Sequence, residues 1–301
     1  MTMAIKNVAL AGATGNAGAP ILNSLLVSNL FNVTVLTRPG SKHTFPPAVT
    51  VKPVDYASLA SLTAALEGQD VLINTTSIEH VEQHVALIDA ALAARVARYF
   101  PSDFGLDTYK PAIAALPIFE GPAAALKYMH EKCTAPGSPT TYTVVHNGGF
   151  LDWCFETAFL GVDPREKQAT IFDEGTNEIA YTTQEWVGKA VVAILCKLEE
   201  TKNRSVFVAN TYVSQKKLLE LSKEVVGADG WTVGAKSTDQ MLAKSMEALE
   251  NGTIDLEGIL DFIRVADAKY ETKWETDDNE LLGIPRFSDE DIKEVIRKVV
   301  S

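Results

Sequence analysis

The stretch Asn7-Val8-Ala9-Leu10-Ala11-Gly12-Ala13-Thr14-Gly15-Asn16-Ala17-Gly18-Ala19-Pro20 decides the fold. It opens as a short apolar strand, passes through evenly spaced glycines, and continues into the apolar positions of a helix. A strand that hands directly to a glycine loop and then to a helix is the first turn of a doubly wound parallel sheet. Without a Cβ the chain turns tightly, and its N–H groups can approach a pyrophosphate at the positive end of the helix. Gly12, Thr14, Gly15, Asn16, Ala17 and Gly18 are therefore candidate cofactor-binding residues. The spacing is G-x-x-G-x-x-G, a departure from G-x-G-x-x-G, and a glycine-rich turn that binds nothing is the alternative. Pro20 falls in the first helical turn, where a missing N–H is tolerated.

Further along, β-branched runs alternate with amphipathic stretches. Strands are expected at 33–37, 49–51, 71–74, 98–100 and 142–145, and helices at 20–27, 58–66 and 81–94. Crossovers of this length predict an α/β fold, a doubly wound (Rossmann) parallel sheet spanning residues 1–150. After Phe150 the rhythm breaks, and residues 151–301 read as a smaller α+β substrate lobe, some of whose elements return to the first domain. There a strand-like "QATIFDE" (residues 168–174) precedes a helix within residues 182–200. A strand over 205–209, helices over 214–226 and 239–250, and a closing helix capped by Ser288 follow.

The composition narrows the class of function. With 27 basic against 39 acidic residues, the formal charge of −12 argues against a nucleic-acid partner, which needs a concentrated basic face. The odd count of 3 cysteines, never spaced as C-x-x-C, argues against a disulfide framework or zinc site and fits a reducing compartment. His80, His84 and His130 lack partners at metal-ligand spacing, so no metal is expected. The opening "MTMAIKNVALAG" lacks the apolar core of a secretory signal, and no apolar run approaches the ~20 residues of a membrane span. A cytoplasmic protein with no membrane partner is the expectation.

The end of the second strand discriminates between dinucleotides. An NAD enzyme carries an acid there to accept from the ribose 2′-hydroxyl. This chain reads Leu36-Thr37-Arg38-Pro39-Gly40-Ser41-Lys42, with Asp55 the nearest downstream acid. A guanidinium and an ammonium suit a 2′-phosphate, so NADPH is the expected cofactor and Arg38 and Lys42 its contacts. The alternative makes both solvated loop cations.

"GATGNAG", the "LTR" after the second strand, "YFPSDFG" at 99–105 and "WETDDNELLG" at 274–283 together resemble the NmrA-like group. This atypical branch of the short-chain dehydrogenase/reductase superfamily includes the isoflavone, pinoresinol–lariciresinol and phenylcoumaran benzylic ether reductases of secondary metabolism. The resemblance covers essentially the whole chain and is tightest in the glycine loop and Pro101-Ser102-Asp103-Phe104-Gly105. It implies NADPH in the first domain and a small, flat aromatic substrate in the cleft beneath the second. It also implies that Gly149 and Phe150 lie near the nicotinamide, in a strand-six exit that departs from the usual polar run. Asn16-Ala17 likewise replaces a bulky pair.

Two lysines compete for the proton chemistry. Tyr128-x-x-x-Lys132 matches the short-chain catalytic signature letter for letter, with Lys127 beside it. The helix holding them runs from the crevice edge of the sheet toward the opposite edge and stops before Pro136-Gly137, so Lys132 lies in its last turn. Lys127 is ~7.5 Å nearer the crevice. In the reductases named above, a catalytic lysine precedes strand six by about a dozen residues, and Lys127 matches that register. Partial burial near the cofactor is expected to lower its pKa and make it a general acid/base. A solvated helix lysine is the alternative.

The remaining candidates follow strand ends. Thr75, Thr76 and Ser77 follow strand four and are placed to bond the cofactor's ribose or phosphates. Ser102 and Phe104 follow strand five and are placed to line the nicotinamide pocket. His146, Asn147 and Trp153 are candidate substrate contacts, with packing as the alternative for each. The expected activity is an NADPH-dependent reductase delivering hydride to an aromatic or conjugated small molecule, as monomer or homodimer. The competing expectation is a non-catalytic NAD(P)-binding redox sensor that contacts a protein partner.

Overall fold

The computed structural model describes residues 5–77, 80–271 and 273–301. Met1 to Ala4, which open the amino-terminal stretch read for a signal, lie outside the described residues. In chain order the elements begin β1 (Asn7–Ala11), α1 (Gly18–Ser28), β2 (Asn32–Thr37), β3 (Val49–Pro53), α2 (Leu59–Leu66), β4 (Val71–Asn74), α3 (Val81–Ala93) and β5 (Arg98–Phe100). Then come α4 (Pro111–Ala114), α5 (Pro117–Thr134), β6 (Thr141–His146), β7 (Gly149–Phe150), α6 (Leu151–Glu156), β8 (Val162–Asp163), β9 (Gln168–Phe172) and β10 (Glu178–Thr182). The remainder are α7 (Gln184–Leu195), β11 (Arg204–Phe207), β12 (Thr211–Ser214), α8 (Gln215–Val226), β13 (Thr232–Lys236), α9 (Thr238–Glu250) and α10 (Leu256–Val265). A π-helical turn (Ala266–Tyr270), α11 (Asn279–Leu282) and α12 (Asp289–Val300) close the chain.

The main sheet has seven strands in the order β11-β6-β5-β4-β1-β2-β3, and the pairs from β3 through β6 are parallel. The sequential order reverses between β1 and β4, the switch point where a doubly wound sheet opens a crevice beyond its carboxyl edge. β1 and β4 are buried on both faces, which explains their continuous apolar runs. Leu126, Met129 and Cys133 of α5 pack with Leu87 and Ile88 of α3 over Leu72 and Tyr99 of the sheet.

The chain divides into two compact units. The first comprises Met1–Phe104, Gly121–His146 and Glu185–Val206; the second comprises Gly105–Glu120, Asn147–Gln184 and Phe207–Ser301. The break expected at residue 150 thus compares with two units that interleave in sequence. Two contacts within the first unit explain why residues 185–206 belong there. Gly188 of α7 presses on α1 so closely that a Cβ would lie 2.4 Å from the Pro20 carbonyl oxygen. Arg98, buried in β5, donates to Thr141 Oγ1 at 2.8 Å, Thr143 Oγ1 at 2.7 Å, Thr201 Oγ1 at 3.2 Å and the Leu198 carbonyl at 2.6 Å. Burial holds the pKa of that guanidinium down at about 10, well below its ordinary value.

The second unit carries two three-stranded sheets, β12-β10-β7 and β13-β9-β8. Its apolar core gathers Phe155, Leu160, Ile179, Tyr181, Leu218 and Ile296. Helix α12 begins with a capping box in which Ser288 and Asp291 satisfy each other's backbone N–H. Among the described residues, no helix is long and apolar enough to cross a membrane.

Candidate functional site

In the first unit, the carboxyl ends of β1, β2 and β4 enclose a cavity of about 290 Å³. Residues 12–15, 35–38 and 75–77 line it, with Ser41, His43, Phe45, Tyr56, His80 and Gln83. The glycine loop is held by its own backbone: the Gly15 N–H donates to the Gly12 carbonyl at 3.0 Å. Gly12 adopts φ +82°, and a Cβ there would sit 2.4 Å from the Thr75 carbonyl oxygen. A Cβ on Gly18 would sit 2.1 Å from the Gly12 carbonyl oxygen. Both positions require glycine for the fold itself. Gly15 differs, since its Cβ would meet nothing nearer than 3.5 Å.

Helix α1 then starts with Ala17 as its N-cap, with no side-chain capping bond and no acid in its first turn. Its amino-terminal N–H groups and partial positive charge are not claimed by a carboxylate side chain, the condition under which such an end accepts an anion. Beyond β2, Arg38 stands exposed at the cavity wall, and its charge reaches the Tyr56 hydroxyl. Burial pushes that phenol up to about 12, with Arg38 opposing, and the hydroxyl donates to the Leu36 carbonyl at 3.2 Å. No aspartate or glutamate lines the cavity among the described residues, whereas Arg38, His43 and His80 do.

The exits of β4 and β5 are tied together. The Thr75 hydroxyl donates to the Ala11 carbonyl at 2.7 Å, and Asn74 Oδ1 accepts from Thr76 N at 3.0 Å and Thr76 Oγ1 at 2.7 Å. Ser102 Oγ donates to the Thr76 carbonyl at 2.7 Å. Burial lowers the pKa of His84, whose Nε2–H donates to the Ser77 carbonyl at 3.0 Å.

Both residues of the short-chain signature lie on helix α5, and neither lines the cavity. Tyr128 Oη donates to Asp89 Oδ1 at 2.7 Å, and Lys132 Nζ lies 5.2 Å from the Tyr128 ring centroid. Lys132 is in the last helical turn, as the Pro136-Gly137 stop predicts. Lys127 is exposed, and it makes no hydrogen bond or ion pair among the described residues. The partial burial expected of it is therefore corrected: its position on α5 turns it to solvent rather than onto the Leu126–Met129 face.

The strand-six exit also differs from expectation. His146 is fully buried, with Nε2 3.1 Å from Ser205 Oγ and Nδ1 3.9 Å from Asp103 Oδ2. Asn147 is fully buried in the second unit; its Nδ2 donates to the Gly148 carbonyl at 2.8 Å, and its Oδ1 has no partner among the described residues. Both side chains are buried rather than exposed to solvent. Gly149 and Phe150 form β7 and pair with Tyr181 and Thr182 of β10. Trp153 is half-buried, its ring 5.1 Å from that of Phe159.

Of the predicted residues, the cavity brings together Gly12, Thr14, Gly15, Arg38, Thr75, Thr76 and Ser77. Ser102 is one hydrogen bond behind Thr76. Asn16, Ala17, Gly18, Lys42, Phe104 and Lys127 of the same unit are not in its wall. Sequence reasoning missed His43, Phe45, Tyr56 and Gln83 as wall residues. For Tyr56 the available signal was its position just past β3; the loop around His43 carries no periodicity to read. Among the described residues there is no cluster of metal-ligating side chains.

Residues 4–230 match the NmrA-like family. The oxidoreductase aprR of Aspergillus flavus is 33% identical over 98% of this chain and 100% of its own length. Isoflavone reductase superposes with a TM-score of 0.75 at 19% identity, covering 98% of this chain and 99% of the other. The leucoanthocyanidin reductase–NADPH complex from Vitis vinifera gives 0.75 at 17% identity, covering 97% and 99%. At those identities the two structures show a shared fold, while the full-length relative and the matched region, which includes the glycine loop, show descent. The chain belongs to the NmrA-like family.

Proposed function

We propose that this protein is an NADPH-dependent reductase acting on a small aromatic or otherwise conjugated molecule. The observation that carries the reading is the cavity at the β1–β4 switch point: a glycine loop on one side, Arg38 on the other, and no carboxylate between among the described residues. A 2′-phosphate beside an acid would be repelled, while beside a guanidinium it gains a charge-assisted hydrogen bond. The room at Gly15 fits the close approach of a pyrophosphate to the loop amides. The full-length relative aprR is an oxidoreductase, and the leucoanthocyanidin reductase of the same fold is solved with NADPH.

NADPH, when bound, supplies the hydride. The protein's own residues bind and orient. The amides of residues 12–18 hold the pyrophosphate, Arg38 with Lys42 behind it holds the 2′-phosphate, and Thr75, Thr76 and Ser77 present polar groups toward the ribose. Ser102 positions that turn through its bond to the Thr76 carbonyl. Phe104 is the candidate apolar wall at the nicotinamide end. Lys127 is the candidate proton donor: an exposed ammonium with no bond among the described residues can reach a substrate oxygen without first breaking one.

Titration with NADPH and NADH, followed by turnover assays with quinones, enones and phenolic acceptors, tests the reading. Tighter binding of NADPH with acceptor-dependent oxidation is expected. Preference for NADH would sink the cofactor assignment. NADPH binding with no turnover on any acceptor would favour the regulatory reading instead.

A further inference from the structure

A second cavity, of about 140 Å³, lies wholly inside the second unit, between the β9–β10 connection and the π-helical turn Ala266–Tyr270. Leu160, Phe172, Ile179 and Tyr181 form its apolar wall, and Thr176, Asn177 and Gln215 line the rest with Asp267. The exposed Asp173 and Glu174 stand among its lining residues. The cavity is braced by Asn177, whose Nδ2 donates to the Ala268 carbonyl at 3.3 Å and the Glu271 carbonyl at 2.8 Å.

Asp267 is the anomaly in this cavity. Its residue is 4% exposed, and Oδ1 is buried with no hydrogen-bond partner among the described residues. No basic side chain pairs with it there, whereas the neighbouring Glu271 accepts from Lys110 and from the Asp107 N–H. Burial above all, and then Glu271, push the Asp267 carboxyl well above the usual carboxylate range. The carboxyl lies in the cavity lining, and its raised pKa favours the protonated form, which can donate to a ligand oxygen. Buried polar groups are nearly always satisfied, and π-helical turns are frequent at functional sites, so the unpartnered oxygen here is one that a ligand or an ordered water completes.

We propose that this cavity binds a neutral, single-ring aromatic molecule bearing a carbonyl oxygen, with the ring against the apolar walls and the oxygen accepting from Asp267. Size sets the ring count: an apolar protein cavity of about 150 Å³ takes one benzene. Charge sets the class. Asp173 and Glu174 repel an anion, and a cation would have to shed its water and ionise Asp267 among apolar walls. A neutral acceptor requires neither. The inference is independent of the nicotinamide assignment, because both the cavity and its donor belong to the second unit alone.

The test is calorimetric titration of the full chain, without any dinucleotide, with acetophenone, benzoate and benzylamine. Acetophenone is expected to bind, Asp267→Asn to hold it within about threefold through its amide N–H, and Asp267→Leu to weaken it about tenfold. Benzoate is expected not to compete. Should the leucine variant fold poorly, methyl-labelled wild-type protein keeps the question open to decision. Shifts on acetophenone addition centred on Leu160 and Ile179 support the site, and shifts only elsewhere overturn it. Undetectable acetophenone binding, equal binding by Asp267→Leu, or tighter binding of benzylamine would each overturn the proposal.

Discussion

The Tyr128 hydroxyl donates a hydrogen bond to Asp89 Oδ1 across 2.7 Å, joining α5 to α3. That bond first, and burial second, push the phenol up to about 12. A catalytic tyrosine of the short-chain type needs the opposite shift, toward neutrality. Tyr128→Phe is expected to leave NADPH turnover within about twofold while lowering stability by about 1 kcal/mol. Lys127→Met is expected to do the reverse, reducing the rate by roughly a hundredfold with little change in urea midpoint. Steady-state rates and urea unfolding of both variants check this, and a rate collapse in Tyr128→Phe alone would return the chemistry to the tyrosine.

Arg38 is the residue on which cofactor choice turns. Removing a charge-assisted bond to the 2′-phosphate should weaken NADPH by about 2 kcal/mol, roughly thirtyfold, and leave NADH nearly unchanged. Dissociation constants for Arg38→Ala with both dinucleotides measure the difference directly. Equal weakening of the two would mean that Arg38 shapes the loop rather than reads the phosphate.

The glycines of the loop should separate into two kinds. Gly18→Ala drives a Cβ to 2.1 Å from the Gly12 carbonyl oxygen, so a loss of about 2–3 kcal/mol is expected. Gly15→Ala has 3.5 Å of room and should fold with a wild-type melting temperature while binding NADPH at least about tenfold more weakly. Thermal melts alongside dinucleotide titrations decide it. A destabilised Gly15→Ala would show that the position serves packing.

Asp267 should leave a mark on the pH dependence of stability. Its folded pKa lies well above the ordinary 3.8, so between those values the unfolded chain releases a proton that the native protein retains. The contribution is fully present below about pH 4 and is lost as pH rises through the folded pKa. Glu271, Cys154 and Tyr181 are the titratable groups that feel this carboxyl, and burial raises the Cys154 and Tyr181 pKa values as well. Asp267→Asn is expected to gain about 1 kcal/mol or more over wild type at pH 8 and much less at pH 4.5, read from urea midpoints. A gain that does not change with pH would contradict a retained proton.

Legibility in the sequence tracked the range of the interactions. Ser288 and Asp291 are a local capping box, and the closing helix was readable from them. Residues 256–265 were missed although Asp255 caps that helix and accepts from Gly258 N, a signal of the same local kind. Strand β13 was not readable, because all of Thr232–Lys236 is exposed and its pairing to β9 spans a long stretch of chain. An alternating pattern cannot announce a strand that buries neither face.

The sequence by itself determined the order of strands and helices from β1 through β5, the glycine loop, and the replacement of an acid by Arg38 after β2, because turn chemistry and periodicity are written in adjacent residues. Tertiary structure alone decided which partners and surroundings the side chains met. It gave Tyr128 its partner 39 residues away, buried His146, exposed Lys127, and left Asp267 Oδ1 without a partner among the described residues. Each of these is a property of the space between elements distant in sequence, where desolvation and hydrogen-bond geometry, rather than residue type, set the chemistry of a group.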